Sequence, residues 1–182
     1  MDFESGPVGT FVSQSFGGLT ATAVNSTYAP QAKFSVDSDY AGGYNTRGTY
    51  HITNHGSEFQ SLEFDFGGPT SAFGFLFGAS DSSWTLRAYD NGNNLLDSLA
   101  IAAVFGSNAG DFFGLSNLAG ATHATLIQNQ DGYYSGGGVD YVFVDNFRYL
   151  AGGGNGIPEP ESLFLVGIGL LGLGLSRRSG RI

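Results

Sequence analysis

Three groups of residues could do chemistry by their type and spacing. Glu63 and Asp65 are two apart, so on a strand both carboxylates leave the same face. Glycoside hydrolysis needs two carboxyl groups roughly 5–10 Å apart, one of them with a raised pKa. A solvated outer face opposite Leu62, Phe64 and Phe66 produces the same spacing, and that is the preferred reading. His51 and His55 are four apart, which on a helix would place two zinc ligands on one face. Their surroundings argue against a helix. Residues 48–53 are rich in β-formers, and Asn54-His55-Gly56 reads as a turn. His123 is distant in sequence, so the pair is expected to be two polar surface histidines. No G-x-S-x-G elbow is present, and Gly136-Gly137-Gly138 lacks the Lys-Ser/Thr of a phosphate loop.

The third group sits at the two ends of the long N-terminal part. Asp2-Phe3-Glu4 opens it, and Val144-Asp145-Asn146-Phe147 closes it, with Asp140 just before. On a strand, Asp2 and Glu4 would face one side and Phe3 the other. If the first and last strands lie side by side, Asp2, Glu4 and Asp145 gather with little compensating cation. Calcium, which takes 6–8 oxygens including backbone carbonyls, would stabilise that cluster. A solvated acid cluster is the alternative. Aromatic residues suggest a further site, since Tyr40, Tyr44, Tyr50, Trp84, Tyr133 and Tyr134 could line a sugar face. Tyr40 and Tyr44 lie in one long polar stretch, and Tyr133 and Tyr134 in another. Such tyrosines can stack on a sugar ring or serve generic adhesion.

The elements that must position these residues are strands. Short β-favouring runs recur at 10–16, 19–24, 32–36, 48–53, 61–66, 72–78, 84–89, 95–105, 112–115, 121–128 and 141–150. Gly17-Gly18, Gly67-Gly68-Pro69, Asn91-Gly92-Asn93 and Asp131-Gly132 punctuate them. No stretch before residue 150 sustains a helical period, and no repeat of fixed length is visible. Strands without helices predict an all-β fold, a β-sandwich of jelly-roll type.

Composition narrows the function. The chain has 182 residues, 30 of them Gly and 16 Phe, with no Cys and a net charge of −9. That charge excludes a phosphate-backbone binder, because nucleic-acid affinity comes from Lys and Arg displacing counterions. The absence of Cys excludes disulfides and thiol chemistry. A hydrophobic share of 41% is ample for a packed core.

The last part of the chain differs from the rest. Residues 151–157 form a Gly-rich linker. Pro158-Glu159-Pro160 follows, then an uncharged run of Leu, Gly, Ile, Val and Phe over 163–175, then Arg177, Arg178 and Arg181. Four Gly in that run, Gly167, Gly169, Gly172 and Gly174, would each cost about 1 kcal/mol in a helix in water. A terminal cationic cluster after an apolar run is the pattern of a membrane stop with its positive end in the cytoplasm. A short C-terminal transmembrane helix is therefore expected. The start, MDFESGPVGTF, has neither a basic nor an apolar leader region.

Pro158-Glu159-Pro160, the apolar span and Arg177-Arg178, in that order, resemble the PEP-CTERM sorting signal of Gram-negative bacteria. The resemblance covers residues 157–182. It implies export, transient retention in the inner membrane and processing by an exosortase-type enzyme. It also implies a surface or extracellular-matrix destination in an organism that builds biofilm and exopolysaccharide. Export demands a leader, so the start is expected to be truncated. The blocks at 66–81 and 84–90 look like the bodies of PEP-CTERM surface proteins, which implies an all-β ectodomain over 1–150. Asp2-Phe3-Glu4 and the late Val144-Asp145-Asn146-Phe147 are similar to the calcium-bearing ends of MAM-type and carbohydrate-binding jelly-roll modules. The matching positions are Asp2, Glu4 and Asp145. The expected function is a non-catalytic exported surface or matrix protein. A carbohydrate-binding module and a secreted glycoside hydrolase at Glu63 and Asp65 are the alternatives.

Overall fold

The computed structural model describes residues 1–24, 32–54, 61–104, 111–129 and 140–152. Everything in it is strand, turn or irregular backbone, with no helix among the described residues. The strands are β1 (Gly9–Phe11), β2 (Ser13–Phe16), β3 (Leu19–Val24), β4 (Phe34–Asp37), β5 (His51–Thr53), β6 (Ser61–Gly78), β7 (Trp84–Tyr89), β8 (Leu95–Ile101), β9 (Phe112–Leu115), β10 (Ala121–Gln128) and β11 (Phe143–Ala151). All pairings are antiparallel.

The long strand β6 organises the fold. Its first half runs between β3 and β10, with Glu63 opposite Thr22 and Thr125. Its second half runs between β11 and β9, with Phe73 opposite Tyr149 and Leu115. One set of strands therefore reads β2-β3-β6-β10-β7-β8 and the other β1-β4-β5-β11-β6-β9. Phe64, Phe66, Phe73 and Phe75, from both halves of β6, all pack on Phe147 of β11, at ring separations of 4.7 to 6.2 Å. This is a sandwich-like all-β arrangement around an aromatic core.

The strands expected at 32–36, 48–53, 95–105 and 141–150 run instead over Phe34–Asp37, His51–Thr53, Leu95–Ile101 and Phe143–Ala151, and two further boundaries differ where the chain changes partner strands. Gly67-Gly68-Pro69 was expected to separate two strands. Instead the chain bends there without stopping. Gly67 takes the left-handed φ of 64°, which glycine reaches without a Cβ clash. Pro69 donates nothing to a ladder, but its carbonyl accepts from Gly152 N at 2.7 Å. Register shifts in β10 and β11 fall opposite this bend, as at a β-bulge. The run expected at 10–16 divides at Val12, where the chain leaves β4 for β3. In both places the chain changes the strands it pairs with.

Two further expectations are corrected. Asp2-Phe3-Glu4 is a turn, not a strand: Phe3 has φ 58°, and its ring is buried edge-on against Phe16 at 5.0 Å. His51 does lie on a strand, but its side chain is fully buried rather than at the surface. Its ring meets Phe143 edge-on at 4.7 Å. All three residues of β5 are buried, so both of its faces are covered and the polarity of His51 does not keep it at the surface. His55 lies outside the described residues.

Candidate functional site

The segment between β4 and β5 carries the densest set of unusual conformations. Tyr40, Tyr44 and Asn45 all have positive φ, at 57°, 49° and 68°. Such backbone is costly for residues with a Cβ and persists only where the surroundings over-determine it. They do so here. Thr46 Oγ1 donates to the Gly43 carbonyl at 2.7 Å and accepts from Gly42 N at 2.9 Å. Gly43 N donates to the Tyr40 carbonyl at 2.8 Å. Asn45, itself buried, donates through Nδ2 to the Phe77 carbonyl at 2.9 Å and to Asp111 at 3.0 Å. Gly78 sits beneath, and any Cβ there would run into the Tyr44 carbonyl.

On this frame stand the tyrosines. Tyr44 stacks on Phe143 at 5.6 Å. Tyr40 meets Tyr44, Tyr141 and Phe143 at 5.7, 6.2 and 6.1 Å, yet remains 60% exposed. The sequence-derived pairing of Tyr40 and Tyr44 is thus a contiguous aromatic platform, extended by Tyr141 and Phe143. Tyr133 and Tyr134 lie outside the described residues. Asp37 and Asp39 border the platform, with Asp39 N donating to Asp37 Oδ1 at 3.1 Å. Burial first, and then the negative neighbours Tyr40, Asp39 and Asp37, push the Tyr141 phenol up to about 12, against a hydrogen bond with Thr53.

The acids at the chain's two ends grip the far side of the same segment. Asp145 is fully buried; its Oδ2 accepts from Arg47 N at 2.5 Å and its Oδ1 from Asn146 N at 2.6 Å. Glu4 Oε1 accepts from Thr49 N and Tyr50 N at 2.6 and 2.9 Å. Asp2 Oδ1 caps the turn, accepting from Glu4 N at 3.2 Å. Burial raises the Asp145 pKa to about 6, and the charges of Glu4 and Asp2 add to the rise. All three acids therefore act on one region, although Asp2 and Glu4 are exposed and only Asp145 is buried. Among the described residues, no three acidic or histidine side chains stand close enough to share one metal ion. A calcium ion here would take Asp145 and Glu4 together with backbone oxygens. His51, on the same side, is driven down to about 4 by burial, against the pull of Asp39 and Glu4.

Glu63 and Asp65 face outward from β6, opposite Thr22 and Thr125, and Thr20 and His123, while Leu62, Phe64 and Phe66 fill the core side. Asp140 is the residue that sequence reasoning undervalued. Its buried carboxylate accepts from Ser80 Oγ, Asp81 N, Ser82 N, Ser82 Oγ and Trp84 Nε1, all between 2.8 and 3.0 Å. The available signal was Ser80-Asp81-Ser82-Ser83 immediately before the single Trp, a cluster of donors in need of an acceptor.

The remaining sequence-predicted residues, Pro158, Glu159, Pro160, Arg177, Arg178 and Arg181, lie outside the described part, as does the expected transmembrane helix. Among the described residues no helix is long and apolar enough to cross a membrane. The family model for the PEP-CTERM protein-sorting motif matches residues 156–178. The chain carries a PEP-CTERM sorting motif. It is accordingly an exported protein whose tail is handled by an exosortase, a membrane enzyme, from a membrane-anchored precursor. No curated protein matches the chain significantly. Among solved structures, a DUF4465 family protein from Bacteroides caccae is 14% identical, covering 75% of each chain at a TM-score of 0.39. CpGH89CBM32-6 of Clostridium perfringens is 9% identical over 75% of this chain and 96% of its own, at a TM-score of 0.33. CpGH89CBM32-5, solved with GalNAc-beta-1,3-galactose, is 20% identical over 70% of this chain and 94% of its own, at a TM-score of 0.30.

Proposed function

We propose that the PEP-CTERM protein is a non-catalytic component of the cell surface or extracellular matrix, presenting a jelly-roll ectodomain beside exopolysaccharide in a biofilm. The sorting motif at 156–178 carries this reading. The outward acid pair on β6 supports the absence of hydrolysis, because Glu63 and Asp65 stand among threonines on a solvated face. The test is localisation and intact mass of the protein in exosortase-positive cells, with and without residues 156–182. The intact protein is expected at the surface with the tail's mass removed, and the shortened one free of the membrane. A full-length chain that keeps its tail and stays in the cytoplasm overturns the proposal.

A second reading, a carbohydrate-binding module, is favoured by the exposed Tyr40 on its buttressed platform. Calcium at the Asp145 end is a narrower proposal. It is supported by a fully buried carboxylate whose charged neighbours are two further acids. Calcium would supply the missing positive charge beside Asp145, with Glu4 as a second carboxylate.

A further inference from the structure

The platform's shape and its charge can be read separately, and together they select a ligand. Shape comes from the strain. Three non-glycine residues with positive φ within positions 40–45 are pinned by Asn45 and the Arg47 amide to the buried Phe77 and Asp145, and by Thr46 to the loop's own Gly43 carbonyl. A loop so held presents Tyr40 without a hinge to freeze, so little conformational entropy is lost when a flat ligand face settles on the ring. Tyr44, Tyr141 and Phe143 prop that ring from behind and beside.

Charge comes from the border. Asp37, the last residue of β4, and Asp39 lie just before Tyr40, with Asp39 N donating to Asp37 Oδ1 at 3.1 Å and Asp37 Oδ1 lying 3.9 Å from His51 Nε2. Glu4 lies close enough to act on His51 as well. Arg47 is the one Lys or Arg between Lys33 and Arg87. A polymer of uronic acids would bring carboxylates against these carboxylates, and like-charge juxtaposition is strongly disfavoured. A chain bearing ammonium groups meets the opposite situation.

We propose that the Tyr40 platform binds an amino-sugar glycan, with a pyranose ring stacked on Tyr40 and its ammonium groups facing Asp37 and Asp39. This rests on the carbohydrate-binding reading above and adds the class of sugar. The apolar groove lined by Phe112, Tyr149 and Leu150, about 470 Å³ in volume, is a separate surface and serves as the control.

The test is calorimetric titration of the full-length chain, kept in detergent, with three hexasaccharides: β-linked glucosamine, β-linked glucose and a uronate. The glucosamine hexamer should bind tightest and weaken as salt rises, because exposed charge pairs are screened. The glucose hexamer should bind more weakly and without salt dependence, and the uronate should not bind. Tyr40→Ala should weaken glucosamine binding about tenfold or more, as for an aromatic anchor, whereas Tyr40→Phe and Phe112→Ala should leave it nearly unchanged. The pair Asp37→Asn, Asp39→Asn should bring glucosamine down to the level of glucose. Equal binding of glucose and glucosamine by the unaltered chain, or preference for the uronate, overturns the inference and leaves the glycan-binding reading standing. Binding to none of the three overturns both. Unchanged affinity in a folded Tyr40→Ala variant also overturns the inference, since the ligand then sits elsewhere.

Discussion

Asp140 and Asp145 are five positions apart and both buried. The fold treats them in opposite ways. Asp140 is surrounded by five donors from residues 80–84, so its charge is solvated by the protein itself. Asp145 receives two backbone N–H groups and has two other acids as neighbours. A carboxylate with many donors is a structural centre; one with few, near like charges, carries an unrelieved electrostatic cost. That contrast separates the element that holds β7 in place from the end of the molecule where a ligand or ion has something to gain.

The largest effect expected from this comparison is at Asp140. Removing it takes the acceptor from the Trp84 indole N–H, the Ser82 hydroxyl and two amides, while Ser80 Oγ retains the Ser82 carbonyl at 2.5 Å, and each buried unsatisfied donor costs about 1–3 kcal/mol. Asp140→Ala should lose about 4 kcal/mol or more of unfolding free energy in a denaturant titration. A loss below about 1 kcal/mol would mean the donors find water and the contrast with Asp145 is unreal.

Asp145 should instead reveal itself through pH. Its folded pKa of about 6 lies above the ordinary carboxyl value of 3.8, so the native state holds the proton more tightly than the unfolded chain. Stability from this group is therefore highest below pH 3.8, falls as pH rises toward 6, and stays low above it. The span is worth about 3 kcal/mol at 1.36 kcal/mol per pKa unit. His51 opposes it. With its pKa lowered from 6.5 to about 4, it costs stability as pH falls through the same window. The unaltered protein should accordingly show little net change in melting temperature between pH 4 and 6 from these two groups. Asp145→Asn should unmask a loss on acidification, and His51→Phe a gain. Identical pH profiles for both variants would remove the electrostatic cost assigned to Asp145.

Calcium sharpens the same point. If it joins Asp145 and Glu4, the melting temperature should rise in millimolar calcium, by about 2.7 kcal/mol of stability at a hundredfold excess over Kd, and Asp145→Ala should abolish the rise. Chelator that leaves the unaltered melting curve in place sinks the ion and leaves Asp145 as an anchor for the Arg47 amide alone. The smallest effect is expected at Glu63→Ala and Asp65→Ala, exposed or half-exposed on β6. Each should change stability by no more than about 0.5 kcal/mol, with no change in any glycoside turnover. A marked loss of turnover would restore the hydrolase.

Local patterns told a good deal about this chain before any contact was known. β3, β7, β9 and β10 end where alternation and turn residues place them, because burial on one face of a strand imposes a period of two on neighbouring residues. The sorting motif was equally legible, since Pro158-Glu159-Pro160, the apolar run and the arginines are contiguous in sequence. Tyr40 and Tyr44 were legible as a pair because they lie four apart, whereas Tyr141 and Phe143, which complete the platform, come from a distant part of the sequence. Tertiary structure decided what depends on distant partners. Gly67-Gly68-Pro69 bends β6 instead of ending it because strands from two sheets continue alongside. His51 is buried on a strand enclosed on both faces, against the Phe143 ring 92 positions away. Asp140 meets its donors across 56 to 60 positions of sequence, and Asp145 meets the Arg47 amide across 98. Side-chain type announces that a carboxylate needs donors; only the path of the backbone determines how many reach it.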